Sequence, residues 1–340
     1  MCFGFDAQGA LGRSLEKRSP AGKGSGVNRR NFIRSALVLG AGGGLALAAG
    51  GPAAALPGLG KLPTPADGVV DDALDHTIGN KQHRRVPAGL ISIQLYTMRS
   101  IMSGARVDET LEKLAGFGYT RVELAGLYGR TASDIRSTLD ELGIQSTSSH
   151  DGLSRSASAL DTKIANAVTL GQSYLNVPFL SSAKADDWRL WADQMNAEAV
   201  VAKKSGVRYG YHNHAHEFTT DLGGGLTPWE VFTDRLDPKL VHLEVDLYWA
   251  VTGGYGVGAA DPVQFAIDVI RAAPQRVLQY HVKDRDSAGG FADLGTGEID
   301  FARIFDAHRV KEYTIEQDQP DVSALQSAEV GYDYLRALRY

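Results

Sequence analysis

The sequence predicts an α/β protein with a single domain, a (β/α)8 TIM barrel, preceded by an N-terminal export signal. From Leu90 onward, short runs rich in β-branched and aromatic residues alternate with longer amphipathic segments. The alternation repeats eight times in about 250 residues, the usual size of such a barrel. A doubly wound open sheet would instead need a glycine-rich phosphate loop after its first strand, and residues 97–106 contain none.

Each strand of the predicted barrel is followed by one helix. Helix ends carry recognisable signals: Asp261-Pro262 supplies a cap and a first-turn proline, and Gly118, Gly143 and Gly206 end three other helices. The predicted strands are 91–96, 120–124, 144–149, 174–178, 207–213, 241–246, 277–282 and 313–317. The predicted helices are 107–117, 131–142, 157–170, 185–205, 227–235, 261–272, 300–308 and 323–338.

Residues 1–55 predict a twin-arginine-type signal peptide. Arg29-Arg30 stands before a long uncharged stretch rich in Ala, Gly and Leu, and Ala53-Ala54-Ala55 offers the small residues of a cleavage site. Residues 56–87 are predicted to be a linker and residues 88–340 the barrel. We therefore expect a periplasmic or secreted protein with no stable membrane span after cleavage, and an uncleaved anchor is the alternative.

Composition excludes several classes of protein. The net charge is -5 and the pI near 6.0, so no basic surface for nucleic acid is expected. Cys2 is the one cysteine, which excludes a disulfide scaffold and a thiolate metal site.

Polar and ionisable side chains collect at the ends of the predicted strands, where barrels carry their active sites. Because side chains alternate along a strand, Glu244 and Asp246 share one face, as do His281 and Lys283. Several buried carboxylates need compensation, and a divalent cation among imidazoles and carboxylates provides it. For each residue alone, a hydrogen-bonded structural role is the alternative. The strand-end residues are Gln94, Tyr96, Glu123, His150, His212, His214, Glu244, Asp246, His281, Lys283 and Glu316.

Five short motifs resemble the sugar phosphate isomerase/epimerase family, within the xylose-isomerase-like TIM barrel superfamily. The resemblance covers roughly residues 90–338, and the order and spacing of the motifs make it specific. The motifs are Gln94-Leu95-Tyr96-Thr97-Met98-Arg99, Gly210-Tyr211-His212-Asn213-His214, Glu244-Val245-Asp246-Leu247-Tyr248-Trp249, His281-Val282-Lys283-Asp284 and Ile315-Glu316-Gln317-Asp318.

The resemblance implies one divalent metal ion, most often Mn²⁺, with Mg²⁺, Co²⁺ or Zn²⁺ as alternatives. Its ligands would be Asp246, His281 and Glu316, joined by His212 at the strand-five position where many relatives have glutamate. His214 or Glu217 would replace His212 if the register is shifted.

The resemblance also implies roles for the other strand-end residues. Glu316 would be the catalytic base, with His150 or Lys283 as the partner acid or polarising group. The loop Leu294–Glu298 would approach the substrate, and the alternative for its glycines is a plain turn. The implied substrate-binding residues are Gln94, Tyr96, Glu123, His214, Glu244 and Trp249.

The implied reaction is proton abstraction next to a carbonyl, through an enediolate, in a non-phosphorylated sugar or keto-sugar. The product would be an isomer or epimer of this small-molecule carbohydrate. Because His212 removes one base, a lyase or hydrolase acting on 3-keto-glycosides by elimination is the alternative. A periplasmic sugar-binding protein is a further alternative, and an abasic-site endonuclease is disfavoured by the acidic pI. Barrels of this kind often dimerise, so a homodimer is one expected assembly.

Overall fold

The computed structural model describes residues 84–340 and shows a closed barrel of eight parallel strands. Its strands are β1 Ile91–Gln94, β2 Arg121–Leu124, β3 Gln145–His150, β4 Tyr174–Val177, β5 Arg208–His212, β6 Val241–Asp246, β7 Val277–Val282 and β10 Glu312–Ile315. Neighbours in sequence are neighbours in the barrel, and β10 closes it by pairing with both β7 and β1. Between β7 and β10, β8 Asp284–Arg285 and β9 Phe291–Ala292 form a two-stranded antiparallel hairpin.

Helices follow the strands, and several first turns carry side-chain caps, among them the predicted cap Asp261. Thr131 and Thr227 each form a reciprocal capping box, and Asp261 caps the helix that begins at Pro262. The helices are α1 Arg106–Phe117, α2 Ala132–Glu141, α3 Ala157–Leu170, α4 Ala185–Lys204, α5 His216–Thr219, α6 Pro228–Arg235, α7 Leu247–Gly256, α8 Pro262–Ala272, α9 Phe301–Ala307 and α10 Ala324–Ala337.

The prediction of a (β/α)8 barrel is confirmed, with local differences that bear on the site. The first strand ends at Gln94 because Leu95–Met98 form a 3₁₀ turn, in which the Gln94 side chain accepts a hydrogen bond from Tyr96 N at 3.0 Å. The last strand ends at Ile315, which leaves Glu316 just beyond it. Helix α7 was not predicted, since Leu247–Gly256 contains three glycines and no amphipathic period.

The interior of the barrel is polar, whereas the layer between strands and helices is apolar. Residues such as Ile93, Val122 and Val245 are fully buried on the helix side of the strands. On the inner side, the equally buried Asn176 and Gln279 hydrogen-bond across the barrel, with Asn176 Nδ2 3.0 Å from Gln279 Oε1. This hydrogen-bonded column pairs many of the buried polar groups, although Asn176 Oδ1 has no partner within residues 84–340. Through Asn176 Nδ2 it also supports Glu244 near the carboxyl end of β6.

The predicted signal peptide, residues 1–55, and most of the predicted linker lie outside the described residues. Between residues 84 and 340, no helix combines the length and the apolar character needed to cross a membrane.

Candidate metal centre and active site

Four side chains from consecutive barrel strands meet at the carboxyl-terminal end of the barrel. His212 and Asp246 end β5 and β6, His281 lies near the end of β7, and Glu316 follows β10. His281 Nδ1 lies 2.7 Å from Glu316 Oε2, and His212 Nε2 lies 3.7 Å from Asp246 Oδ2. Donor atoms of Asp246, His281 and Glu316 all lie within 4.8 Å of one another. The structure thus brings together the four residues predicted to be metal ligands.

A carboxylate lies behind each of the two histidine rings. His281 Nε2 is hydrogen-bonded to Glu123 Oε1 at 2.7 Å, whereas His212 Nδ1 lies 3.3 Å from Glu244 Oε2 without hydrogen-bond geometry. Such partners on one ring nitrogen typically orient a histidine whose other nitrogen binds a metal. His281 Nδ1 and His212 Nε2 therefore face the space shared with Asp246 and Glu316.

One carboxylate oxygen of Asp246 accepts no hydrogen bond, and this favours a cation at the site. Its Oδ1 accepts a hydrogen bond from Trp249 N at 2.8 Å, which caps α7. Its Oδ2 is buried and accepts no hydrogen bond, and Lys283 Nζ lies 3.2 Å away as an ion-pair partner without hydrogen-bond geometry. A buried carboxylate oxygen left in this state is costly. The residues fit a divalent cation, because two imidazoles and two carboxylates suit Mn²⁺, Co²⁺ or Zn²⁺.

A second group of close donors, His150, His212, Glu244 and His281, overlaps the first. Both oxygens of Glu244 are already engaged there: Oε1 accepts from Asn176 Nδ2 at 2.8 Å, and Oε2 lies 2.8 Å from His150 Nε2. The second group is therefore a hydrogen-bond network beneath the first, and the first group offers the donor atoms that could hold a cation.

The two alternatives for the strand-five ligand, His214 and Glu217, do not belong to the donor cluster. Glu217 is fully buried, and its two oxygens accept hydrogen bonds from Tyr211 Oη at 2.6 Å and His214 N at 2.9 Å. The His214 ring packs 5.1 Å from the Phe179 ring rather than joining the donor cluster. These positions favour His212 as the strand-five ligand.

Burial and neighbouring charges give the two candidate histidine ligands opposite protonation states. Burial and the charge of His281 lower the pKa of His212 to about 3, so His212 is a neutral imidazole. Burial opposes charge on His281 as well, but the carboxylates of Glu244, Glu123 and Glu316 raise its pKa well above its usual range. Without a metal, His281 is therefore an imidazolium.

Metal affinity should weaken as the pH falls through about 6. Burial raises the pKa of Asp246 to about 6, so its carboxylate is free to bind a cation above that pH and is protonated below it. The proton on His281 competes with metal in the same direction, so binding near neutral pH should release protons. Calorimetry in buffers of different ionisation enthalpy measures both effects, and an affinity independent of pH between about 5 and 8 would contradict this assignment.

Lys283 lies against the candidate base. Its buried Nζ is 2.9 Å from Glu316 Oε2 and 2.9 Å from Asp318 Oδ2. Although burial opposes its charge, Asp246, Glu316 and Asp318 raise the pKa of Lys283 well above its usual range. Burial opposes charge on Glu316 too, but Lys283 and His281 lower the pKa of Glu316 well below its usual range. Glu316 is therefore a carboxylate at neutral pH, which is the protonation state that a base requires.

Aromatic side chains form a wall beside the ligands. The Trp249 ring lies 5.2 Å from the His214 ring and 5.7 Å from the Phe291 ring. Trp249 Nε1 and His214 Nδ1 are buried without a hydrogen-bond partner in residues 84–340. These two nitrogens could bind a polar ligand, consistent with the predicted substrate contacts at both residues.

Across the site, the predicted contact Tyr96 lies in the 3₁₀ turn after β1, with the Arg99 guanidinium 4.2 Å above its ring.

Three of the predicted substrate-binding residues are buried beneath the candidate metal ligands. Gln94, Glu123 and Glu244 are each 0% exposed. Gln94 Nε2 donates to Glu123 Oε1 at 2.7 Å, and Ser148 Oγ donates to Glu123 Oε2 at 2.6 Å. Their burial favours a role in supporting His281 and His150, and direct contact with substrate stays a prediction.

Replacing Glu123 with glutamine should weaken metal binding by about 10–100-fold, the usual cost of losing an outer partner of a histidine ligand. The amide cannot carry the charge that orients His281 through Nε2. Metal titration measures the loss. Glu312→Gln is a matched control, because Glu312 is equally buried but lies at the opposite end of the barrel interior. Equal affinity in Glu123→Gln and wild type would remove Glu123 from this role.

Several residues at the site were not among the predicted site residues. Asn213 Oδ1 accepts a hydrogen bond from Asp246 N at 3.0 Å and so fixes that ligand, and its place beside His212 was the available signal. Phe291 reaches the site on a hairpin that no sequence pattern indicated. In the predicted substrate loop, Asp284 Oδ2 accepts hydrogen bonds from Gly295 N at 3.0 Å and Gly297 N at 3.1 Å, so these glycines form an anchored turn.

Comparisons with known proteins agree with this fold. The sequence profile described as xylose isomerase-like TIM barrel matches residues 107–333. The chain is 25% identical over 245 residues to an inosose dehydratase of Geobacillus kaustophilus (strain HTA426), covering 58% of this chain and 74% of that one.

Solved structures are similar in fold. A sugar phosphate isomerase/epimerase from Parabacteroides distasonis ATCC 8503 has a TM-score of 0.61 and 24% identity, covering 75% of this chain and 96% of its own. The IolI protein, solved with a bound zinc atom, has a TM-score of 0.53 and 14% identity. The match covers 72% of this chain and 95% of the IolI chain. Because the matched profile spans more than half of the sequence, the chain belongs to the xylose isomerase-like TIM barrel family.

Proposed function

We propose that the protein is a divalent-metal-dependent isomerase or epimerase acting on a non-phosphorylated sugar or keto-sugar by removing a proton next to a carbonyl. One observation carries the proposal: the donor atoms of His212, Asp246, His281 and Glu316 face a common space at the carboxyl-terminal end of the barrel. The inosose dehydratase relative, whose name also denotes chemistry on a polyol ketone, supports it.

Each side chain at the site has a separate role in such a reaction. When bound, a divalent cation supplies Lewis-acid stabilisation of negative charge on substrate oxygens. Glu316 is the base that takes the proton, since it is a carboxylate just beyond the end of β10 and is 5% exposed. Lys283 holds Glu316 in this ionised state, at 2.9 Å.

His150 is the proposed acid. Burial opposes its charge, but Glu123 and Glu244 raise the pKa of His150 above its usual range. Its side chain is 12% exposed at the rim, so it can give a proton to a substrate oxygen.

Elimination from a keto-glycoside is the second candidate reaction, and His212 favours it. A glutamate at this position would offer a second base, as epimerisation by two bases requires, whereas His212 is a neutral imidazole facing Asp246. A single base suffices when the group on the neighbouring carbon leaves. The dehydratase relative supports this alternative as well, because dehydration is an elimination.

The proposed substrate is unphosphorylated because the N-terminal residues predict export, and phosphosugars are usually cytoplasmic. We propose that the folded enzyme is exported to the periplasm or secreted.

Incubation of metal-loaded protein with a panel of sugars and 3-keto-glycosides in D₂O tests the proposal. We expect deuterium at one carbon next to a carbonyl, detected by NMR. A product of unchanged composition apart from deuterium indicates isomerisation or epimerisation, and loss of water or an alcohol indicates elimination. Saturable sugar binding with neither exchange nor product in metal-replete protein would contradict an enzymatic role and favour a sugar-binding protein.

A further inference from the structure

A cavity of about 330 Å³ opens at the amino-terminal end of the barrel, opposite the candidate metal centre. Its lining comes from the starts of the strands: Arg121 begins β2, Tyr174 begins β4 and Arg208 begins β5. Arg276 and Lys311 also line it, each one residue before a strand. We call this cavity the basic mouth. It gathers four cationic side chains in a chain whose net charge is -5.

None of the four cations of the basic mouth forms an ion pair with a carboxylate in the described part of the chain. Within residues 84–340, no carboxylate oxygen lies within 4.0 Å of Arg121, Arg208, Arg276 or Lys311. Six other arginines in the same part of the chain form ion pairs: Arg130, Arg136, Arg189, Arg235, Arg285 and Arg303. Unpaired cations that converge on a cavity repel one another, and an anion would relieve that repulsion.

The one carboxylate in the lining, Glu312, is turned into the barrel. It is 0% exposed and accepts hydrogen bonds from Thr147 Oγ1 and from Gln279 Nε2 at 3.3 Å. It interacts electrostatically with Arg121, but a single carboxylate cannot balance four cations. Burial raises the pKa of Glu312 to about 7, which reduces its negative charge near neutral pH.

We propose that the basic mouth binds a small multivalent oxyanion, either a phosphate-bearing molecule or a polycarboxylate. Guanidinium groups pair with two oxygens of such ligands at once, and the cavity volume suits a small molecule. The ligand is an effector or stabiliser rather than the substrate. Buried side chains of the polar column, including Asn176, His242 and Gln279, fill the barrel between this cavity and the metal centre.

Calorimetry and thermal unfolding of the full chain with inorganic phosphate, pyrophosphate and citrate test the proposal, with chloride at matched ionic strength as reference. We expect saturable binding and a rise in Tm with at least one multivalent anion, and none with chloride. Preference for pyrophosphate over citrate, or the reverse, separates the phosphate from the carboxylate source.

Two variants locate the bound anion. The double substitution Arg208→Gln/Arg276→Gln should weaken the affinity for the anion by about tenfold or more, since each charged hydrogen-bonding partner contributes to affinity. Arg303→Gln is the matched control at a paired surface arginine, and metal content should be unchanged in both proteins. Absence of saturable binding, binding that survives the double substitution, or a response that follows ionic strength alone overturns the proposal. None of these results bears on turnover, so the proposed function is tested separately.

Discussion

Glu316→Gln should reduce turnover by about a thousandfold or more while leaving the barrel folded. A general base contributes about 10²–10⁴ to rate, and an amide cannot accept the proton that Glu316 takes. The glutamine keeps the size of the side chain, so the packing around His281 and Lys283 should survive. Steady-state kinetics at saturating metal measures the loss, and circular dichroism and Tm report the fold.

Two further measurements make this prediction specific to the base. Glu329→Gln is the matched control, an exposed carboxylate on α10 that should leave turnover unchanged. Deuterium exchange into the substrate should fall in parallel with turnover in Glu316→Gln. Near-wild-type turnover in that variant would refute Glu316 as the base.

Asp246→Asn should abolish stable metal binding while preserving the fold. The asparagine side-chain oxygen can still accept the hydrogen bond from Trp249 N that caps α7, but the charge of the buried Oδ2 is lost. Elemental analysis after dialysis should find less than about a tenth of the wild-type metal content, since losing one charged ligand typically costs several kcal/mol.

His281→Ala should lose metal as well, and with it some stability. The imidazole lies among the carboxylates of Glu123, Glu244 and Glu316, which would then repel one another without a cation between them. His308→Ala, at a half-buried histidine bonded to Tyr280 Oη, is the matched control. Unchanged metal content in either Asp246→Asn or His281→Ala would remove that residue from the ligand set.

Much of the fold was predictable because local signals agree with it. The predicted bounds of β6, β7 and α3 match the structure residue for residue. For α3 the reason is visible at both ends, where Ser156 caps the helix and Gly171 ends it with φ 73°. Period-two alternation likewise placed Glu244 and Asp246 on the inner face of the barrel.

The parts that could not be predicted depend on contacts between distant segments. Helix α7 forms because Asp246 caps it and because its glycines allow close packing: a Cβ on Gly253 would lie 2.6 Å from the Phe218 ring. The sequence also did not show which strand-end residues are candidate metal ligands and which residues support them. Which nitrogen of His281 meets Glu123 and which meets Glu316 is fixed by ring orientation across the barrel, and strand position alone does not give it.

We propose that one divalent cation is held at the carboxyl-terminal rim by His212, Asp246, His281 and Glu316. A crystal structure of Mn²⁺-loaded protein with anomalous difference maps tests it most directly. We expect a single strong peak about 2.0–2.3 Å from His212 Nε2, Asp246 Oδ2, His281 Nδ1 and one Glu316 oxygen. A peak centred between His150, Glu244 and His281, or no peak at the rim, would contradict it.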